Sequence, residues 1–214
     1  MKEYGEEYHL EKHNYLYKDD RYYNLRAKLA LLKYFNNISK NSKILEFGCG
    51  LGQNIFLIPH AVGYDISKFA LNFCKEKGIE VTNNLKSIKN DSFDVVFSCH
   101  VLEHLEAPFD SIGIMKKKLK KGGKLILILP VEKHKKVSFE IDSNQHVYCW
   151  NFRAINNLLI KSGFKPIENK YLWATAYKKL LIFSKLNFKL YNFLTKLAGV
   201  LFNIREMKIV AVKE

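Results

Sequence analysis

The chain has 214 residues, 48% apolar and 26% charged, with 15 Phe, 11 Gly and 4 Pro; that mix excludes a disordered chain and any collagen-like or linker architecture, and the length is enough for one buried core without a disulfide or metal staple. The formal net charge is +14, carried unevenly: residues 1–110 hold 14 Lys and Arg against 15 Asp and Glu, and residues 111–214 hold 21 against 6. No apolar run reaches ~18 residues, which excludes a transmembrane helix, and the polar, acidic start is unlike a signal peptide.

Taken in chain order, six tyrosines (4, 8, 15, 17, 22, 23) crowd the polar N-terminal segment. Residues 21–37 then place Leu25, Leu29, Leu32 and Phe35 at helical spacing. KILEFGCG reads as a strand running into a glycine turn, LGQNIFLI as the opening of a helix, and HAVGYDI as a short strand ending at Asp65. Ser67 is placed to cap a helix that stops at Gly78. IEVT and FDVVFSC are strands, the second apolar enough to be buried on both faces. PFDSIGIMKKKLKKGG is a helix, KLILILP a buried strand, RAINNLLIKSGF a helix and KPIENKYL a strand. Residues 172–203 read as helical, and REMKIVAVKE closes the chain as a strand. Strands alternating with helices predict a parallel sheet covered on both faces, with its ligand beyond the carboxyl ends of the strands.

The glycine turn marks that place. Glu46-Phe47-Gly48-Cys49-Gly50-Leu51-Gly52 has glycine at alternate positions, and Gln53 displaces the last glycine of a dinucleotide fingerprint. A pyrophosphate prefers a helix N-terminus without a competing anion. Here Glu46 stands at the end of the strand, which favours a ligand with cationic character. Asp65, at the end of the next strand, can accept hydrogen bonds from a ribose diol. A ribose and a positive charge on one ligand point to S-adenosylmethionine.

GxGxG after the first strand, GYDIS at the second, NDSFDVVFSCHVLEHL around the fourth and LKKGGKLILILP into the fifth occur in that order. Together they resemble a class I S-adenosylmethionine-dependent methyltransferase of the small seven-stranded kind, over roughly residues 40–170. The resemblance implies a Rossmann-like, doubly wound α/β sheet, mostly parallel with an antiparallel last strand, helices on both faces and a helical insertion before the last strand. It implies one domain over 1–214: an N-terminal helix or lid (1–40), a cofactor-binding core (41–171), a basic helical insertion (172–204) and the last strand (205–214). It also implies roles. Gly48, Cys49, Gly50 and Gly52 would cradle the methionine part, and Glu46 would orient the loop and the amino group. Asp65 would bond the ribose, Ile66 would lie against the adenine, and Asn84 and Leu85 would flank its edge. Ser98 and Cys99 would border the sulfonium.

Methyl acceptors differ in what they need from the protein. This chain has Ser98-Cys99-His100-Val101 where amide and exocyclic-amine methylation usually has an Asn-Pro-Pro-aromatic motif. A hydroxyl acceptor needs a base, and histidine is the commonest. His100, leaving the fourth strand, and His146, in NQHVYCW, are the candidates. His104 is expected to support packing, and Glu140 and Asp142 lie near His146. Their spacing marks no metal site, and Cys49, Cys74, Cys99 and Cys149, far apart and without CxxC, suit a reducing cytoplasm and argue against zinc. The N-terminal segment is read as a lid, with Tyr15, Tyr17 or Arg21 near the methionine carboxylate.

No acidic residue lies between Glu168 and Glu206. Drawn as one helix, 172–203 puts Lys178, Lys185, Lys189 and Lys196 in one stripe beside a broad apolar arc. An interfacial helix and a buried, sheet-capping or dimer-forming helix both fit that pattern. The expectation is a cytoplasmic methyltransferase, peripheral to the inner face of the membrane, acting on an oxygen of a small-molecule, glycan or lipid-linked acceptor. RNA or protein methylation is the second reading; with only four Arg among 35 basic residues, nucleic acid is not favoured. A binding protein that keeps the fold without catalysis is the third.

Overall fold

The computed structural model describes residues 5–132, 145–173 and 178–214. Tyr4, Glu140 and Asp142 lie outside them. The strands form one seven-stranded sheet in the order β3-β2-β1-β4-β5-β7-β6. They are β1 (Ile44–Phe47), β2 (Val62–Tyr64), β3 (Glu80–Thr82), β4 (Phe93–Cys99), β5 (Leu119–Pro130), β6 (Phe164–Trp173) and β7 (Arg205–Lys213). β1 pairs with β2, β2 with β3 and β4 with β5 in parallel, and β7 runs antiparallel to β5. The Rossmann-like α/β class expected from the sequence is the one observed.

The residues gather into two compact units, Met1–Lys89 with Trp173–Ile204, and Asn90–Leu172 with Arg205–Glu214. In the first, α1 (Glu6–Lys18) precedes α2 (Asp20–Tyr34), whose first turn is capped by the Asp19 carboxylate accepting from Tyr22 N at 3.0 Å. Tyr22, Tyr23, Leu25 and Leu29 of α2 pack with Leu16, Leu51, Phe73 and Tyr191. α3 (Lys68–Glu76) starts at its Ser67 cap and stops just before Gly78, at φ 75°, as the sequence predicts. In the second unit α4 (Pro108–Lys118) and α5 (Phe152–Lys161) accompany β4, β5, β6 and β7, and Val96, Phe97, Leu125, Leu127, Ile209 and Ala211 are fully buried.

Three expected elements differ. LGQNIFLI forms turns, not a helix: Ile55 N and Phe56 N both bond Gly52 O and Ile58 N bonds Ile55 O, successive turns that do not join into a helix. Pro59, which lacks an N–H and disfavours helical backbone at Ile58, stops any helix there. LKKGG belongs to β5 instead of ending α4. Its pairing with β4 shifts register between Phe93 and Val95, and Gly122, at φ 73°, takes up the bulge. Residues 172–203 are not one helix. β6 extends to Trp173, α6 covers Phe183–Leu186, and α7 covers Phe188–Leu201. Asn187 makes the break: extended in backbone, it accepts from Lys189 N and Leu190 N and so starts α7 afresh. The four-lysine stripe drawn on a continuous helix therefore does not exist as drawn.

Candidate functional site

The glycine loop is built by β1 and β2. Past Phe47 the chain turns back, and Gly48 N and Cys49 N both donate to Tyr64 O, at 2.8 and 3.0 Å. Asp65 follows β2 directly and points at the loop: its Oδ2 accepts from Gly50 N at 2.7 Å and its Oδ1 from Ser67 N at 2.9 Å. Each oxygen keeps further lone-pair capacity for a hydroxyl. Ile66 is exposed, as a platform for a ring would be. Asn84 is exposed, with its side-chain oxygen engaged by Lys86 N in the turn after β3, and Leu85 beside it is half-buried.

The glycines divide by what surrounds them. A Cβ on Gly52 would stand 2.6 Å from Ile79 Cδ1 and 2.9 Å from Cys74 Sγ, so that glycine serves packing. A Cβ on Gly50 would meet nothing nearer than His9 Cε1 at 4.0 Å, so that glycine fronts open space. Cys49 and Cys74 are buried free thiols beneath the loop, and the neighbouring thiol together with burial raises the Cys49 pKa. They fill space. Tyr23 braces the loop from outside, donating to Leu51 O at 2.7 Å.

Glu46 is fully buried on β1. Its Oε1 accepts from Asn54 Nδ2 at 2.7 Å, and its Oε2 has no hydrogen-bond partner among the described residues. Burial pushes its pKa up to about 8, against the bond from Asn54 and with help from Asp65. A cation beside that oxygen would reverse the shift. Beyond Gly50 lies His9 of α1, also buried, stacked on Phe69 with centroids 5.8 Å apart and with neither ring nitrogen hydrogen-bonded among the described residues. Burial lowers its pKa, although Asp65 pulls the other way. Arg21 donates to Leu181 O and Ser184 Oγ, Tyr17 packs on Phe69 and Phe73, and Tyr15 meets Tyr22 edge-on. Tyr23 of α2 reaches the loop at Leu51, and His9 of α1 reaches it at Gly50. Nothing in a helix polar on every side singles His9 out from sequence. A hollow of about 450 Å³ under residues 55–61 and 78–80 contains none of the expected site residues.

In the second unit, β4 carries Ser98, buried, and Cys99, half-buried, at its carboxyl end. His100 follows with φ 54° and donates its backbone N–H to Ile128 O. Its ring lies between two carboxylates, Nδ1 3.3 Å from Glu103 Oε1 and Nε2 3.3 Å from Glu206 Oε1. Desolvation works against its charge, yet the carboxylates outweigh it and push its pKa up to about 9. The two carboxylates thus favour the charged form of the His100 ring. His146 is held differently. Its Nδ1 is 2.5 Å from Glu132 Oε1 and its ring meets that of His104 edge-on, centroids 4.7 Å apart. Val147 N and Tyr148 N both donate to Glu103 O, which fastens the segment bearing His146 to the single turn Leu102–His104. Glu103, Glu132 and Glu206 went unread in the sequence.

A protein-family model described as a methyltransferase domain matches residues 17–169. Phosphoethanolamine N-methyltransferase 1 of Arabidopsis thaliana is 28% identical over 105 residues, covering 42% of this chain and 21% of that protein. The tRNA U34 carboxymethyltransferase of Hydrogenovibrio crunogenus is 26% identical over 176 residues, 65% of this chain and 49% of that one. The chain thus spans about a fifth of the first relative and half of the second. Among solved structures, a putative methyltransferase from Bacillus halodurans superposes with TM-score 0.61 at 16% identity, covering 88% of this chain and 98% of that one. A [4+2]-cyclase, SpnF, superposes with TM-score 0.61 at 15% identity, covering 87% and 79%. With the family model spanning most of the chain and the sheet order matching its fold, this chain belongs to the class I S-adenosylmethionine-dependent methyltransferases, and S-adenosylmethionine is its cofactor.

Proposed function

We propose that the chain methylates an oxygen of a small-molecule, glycan or lipid-linked acceptor. The cofactor supplies a methyl group on a sulfonium; the residues supply position and proton control. Gly48, Cys49, Gly50 and Gly52 hold the methionine part by backbone, and Glu46 offers its unpartnered Oε2 to the amino group. Asp65 takes the ribose, with Ile66, Asn84 and Leu85 around the adenine and Ser98 and Cys99 toward the sulfonium. The fit rests on two observations: a buried carboxylate oxygen with no hydrogen bond among the described residues, and open space in front of Gly50.

The observation that favours oxygen is His146 held on Glu132, in a segment fastened beside His104. An orienting carboxylate fixes an imidazole for handling a proton, which a hydroxyl acceptor needs. Label from methyl-tritiated S-adenosylmethionine should pass to hydroxyl-bearing members of an acceptor panel and not to matched amines. His146→Ala should lower turnover ~100-fold or more and leave cofactor affinity unchanged. Equal labelling of amines, or full turnover in His146→Ala, would overturn the oxygen assignment. If calorimetry detected neither S-adenosylmethionine nor S-adenosylhomocysteine, a fold kept without catalysis would replace it.

The acceptor's setting is argued from α7. Leu190, Phe193, Leu197 and Leu201 are exposed on one side of it, while Tyr191, Thr195 and Ala198 are buried on the other. Lys189 and Lys196 are exposed beside the apolar strip, as is Lys185 on α6, and no acidic residue interrupts 169–205. A broad exposed apolar strip edged with lysine suits an anionic bilayer surface, which is where a lipid-linked acceptor is met. No helix among the described residues is long and apolar enough to cross a membrane. A phosphate-tracking role on RNA draws on the same lysines and on the tRNA-modifying relative, and competition by tRNA for the lysine surface would favour it.

A further inference from the structure

Glu103, His104 and His146 bring one ligand atom each to within 4.8 Å of one another. Glu103 is fully buried, and with His100 paired to its Oε1, its Oε2 has no hydrogen bond among the described residues. An isolated buried carboxylate oxygen is costly unless something positive meets it. His146 is already oriented from behind by Glu132, at 2.5 Å on Nδ1, which leaves Nε2 as the nitrogen able to bind. A carboxylate behind a histidine in this way is the outer-shell arrangement that fixes ring and tautomer in metal centres. His104 is held by the Gln145 backbone, next to His146 in the chain.

We propose that Glu103, His104 and His146 form a binding site for a divalent first-row transition cation, with Glu132 as a positioning residue. Two imidazoles and one carboxylate suit zinc, manganese or iron better than magnesium, which prefers oxygen throughout. Ligands of one such ion sit ~2.0–2.2 Å from it, so the present separations close by modest side-chain rotation. The charges of Glu103 and Glu132 balance the ion. Three protein ligands leave an open position, the mark of a working and not a structural site. In the methylation reading, on which this part rests, that position takes the acceptor hydroxyl and eases loss of its proton to water. His146 then acts through the ion. The two histidine ligands are 42 positions apart, outside any local metal spacing.

The test uses the full, untagged chain stripped with chelator. Calorimetry should show one Zn²⁺ or Co²⁺ bound per chain, with Mg²⁺ much weaker, and bound Co²⁺ should give visible d–d bands. His104→Ala and His146→Ala should each weaken Zn²⁺ binding by ~100-fold, and Glu132→Gln by ~10-fold. Because a buried variant could misfold, labelled histidine side chains in the unaltered protein give a second readout. Zn²⁺ should shift the resonances of His104 and His146 and leave those of His9 and His13 in place. No divalent binding, or binding that leaves both ring signals unmoved, overturns the site. Calorimetry with S-adenosylmethionine on the same stripped protein separates the failures: cofactor binding without ion binding sinks only the ion.

Discussion

Two buried side chains in the loop region carry opposite instructions for stability and for binding. In the unfolded chain the Glu46 carboxyl ionises above about pH 4.5, whereas in the fold it keeps its proton to about pH 8. A raised carboxyl favours the folded state fully below the lower value, and that contribution is lost as pH rises through the upper one. The cofactor-free protein should therefore lose melting temperature between about pH 4.5 and 8, and Glu46→Gln should flatten that slope. If the cofactor's amino group ionises Glu46, binding at pH 7 should release about one proton. Calorimetry in buffers of different ionisation enthalpy reads that number, and no release would count against Glu46 as the amino-group partner. His9 is neutral by burial and has two nitrogens without hydrogen bonds among the described residues. His9→Phe should stabilise the cofactor-free protein by ~1 kcal/mol, as expected for removing an unsatisfied buried polar group. If His9 instead donates to the cofactor, the same change should weaken S-adenosylmethionine binding by roughly ten-fold, a loss that Tyr15→Phe should not share.

At the level of elements, glycines that look alike in sequence separate by function. Gly52→Ala forces a Cβ into Ile79 and Cys74 at φ 74° and should destabilise the fold by ~3 kcal/mol, from overpacking and left-handed strain together. Gly50→Ala, at φ 50° with open space ahead, should cost only ~1 kcal/mol in stability while sharply weakening cofactor binding. Chemical denaturation and cofactor titration on the two variants give the contrast, and equal destabilisation would refute it. The alternation of elements and the Ser67 cap were readable because apolar period and cap chemistry are local. Asp65 was readable because its place after β2 follows from the strand. The failures came from competition. Pro59 overrode an apolar run that reads as helix, and Asn187 restarted a helix inside a stretch of uniform composition. The clustering of Glu103, Glu132, His146 and Glu206 depends on how β4, β5, β7 and the segment after residue 144 fold together, which no short window contains. Asn187→Ala should cost about 1 kcal/mol by removing two capping bonds at once.

For the molecule as a whole, the basic excess of residues 111–214 becomes useful only where it meets exposed apolar surface. That combination occurs on α7 and the short α6 before it. Vesicles containing anionic lipid should carry the protein upward in a flotation gradient at low salt. Changing Lys185, Lys189 and Lys196 to Glu should abolish this, and raised ionic strength should weaken it for the native chain. Flotation on neutral vesicles alone would remove the lysines from the account, and no flotation at all would remove the bilayer and leave the strip to another partner.

The position of β7 has a consequence for how the polypeptide is made. It lies between β5 and β6 and runs antiparallel to β5, with Leu127 opposite Ile209. A nascent chain still emerging from the ribosome has synthesised β6 with no neighbour to receive it and β5 with an open flank. Such bare rims invite association with other chains. Nonsense changes upstream of residue 205 should thus yield aggregates in place of a shortened soluble protein, and helper proteins that shield nascent strands should raise the yield of the intact one.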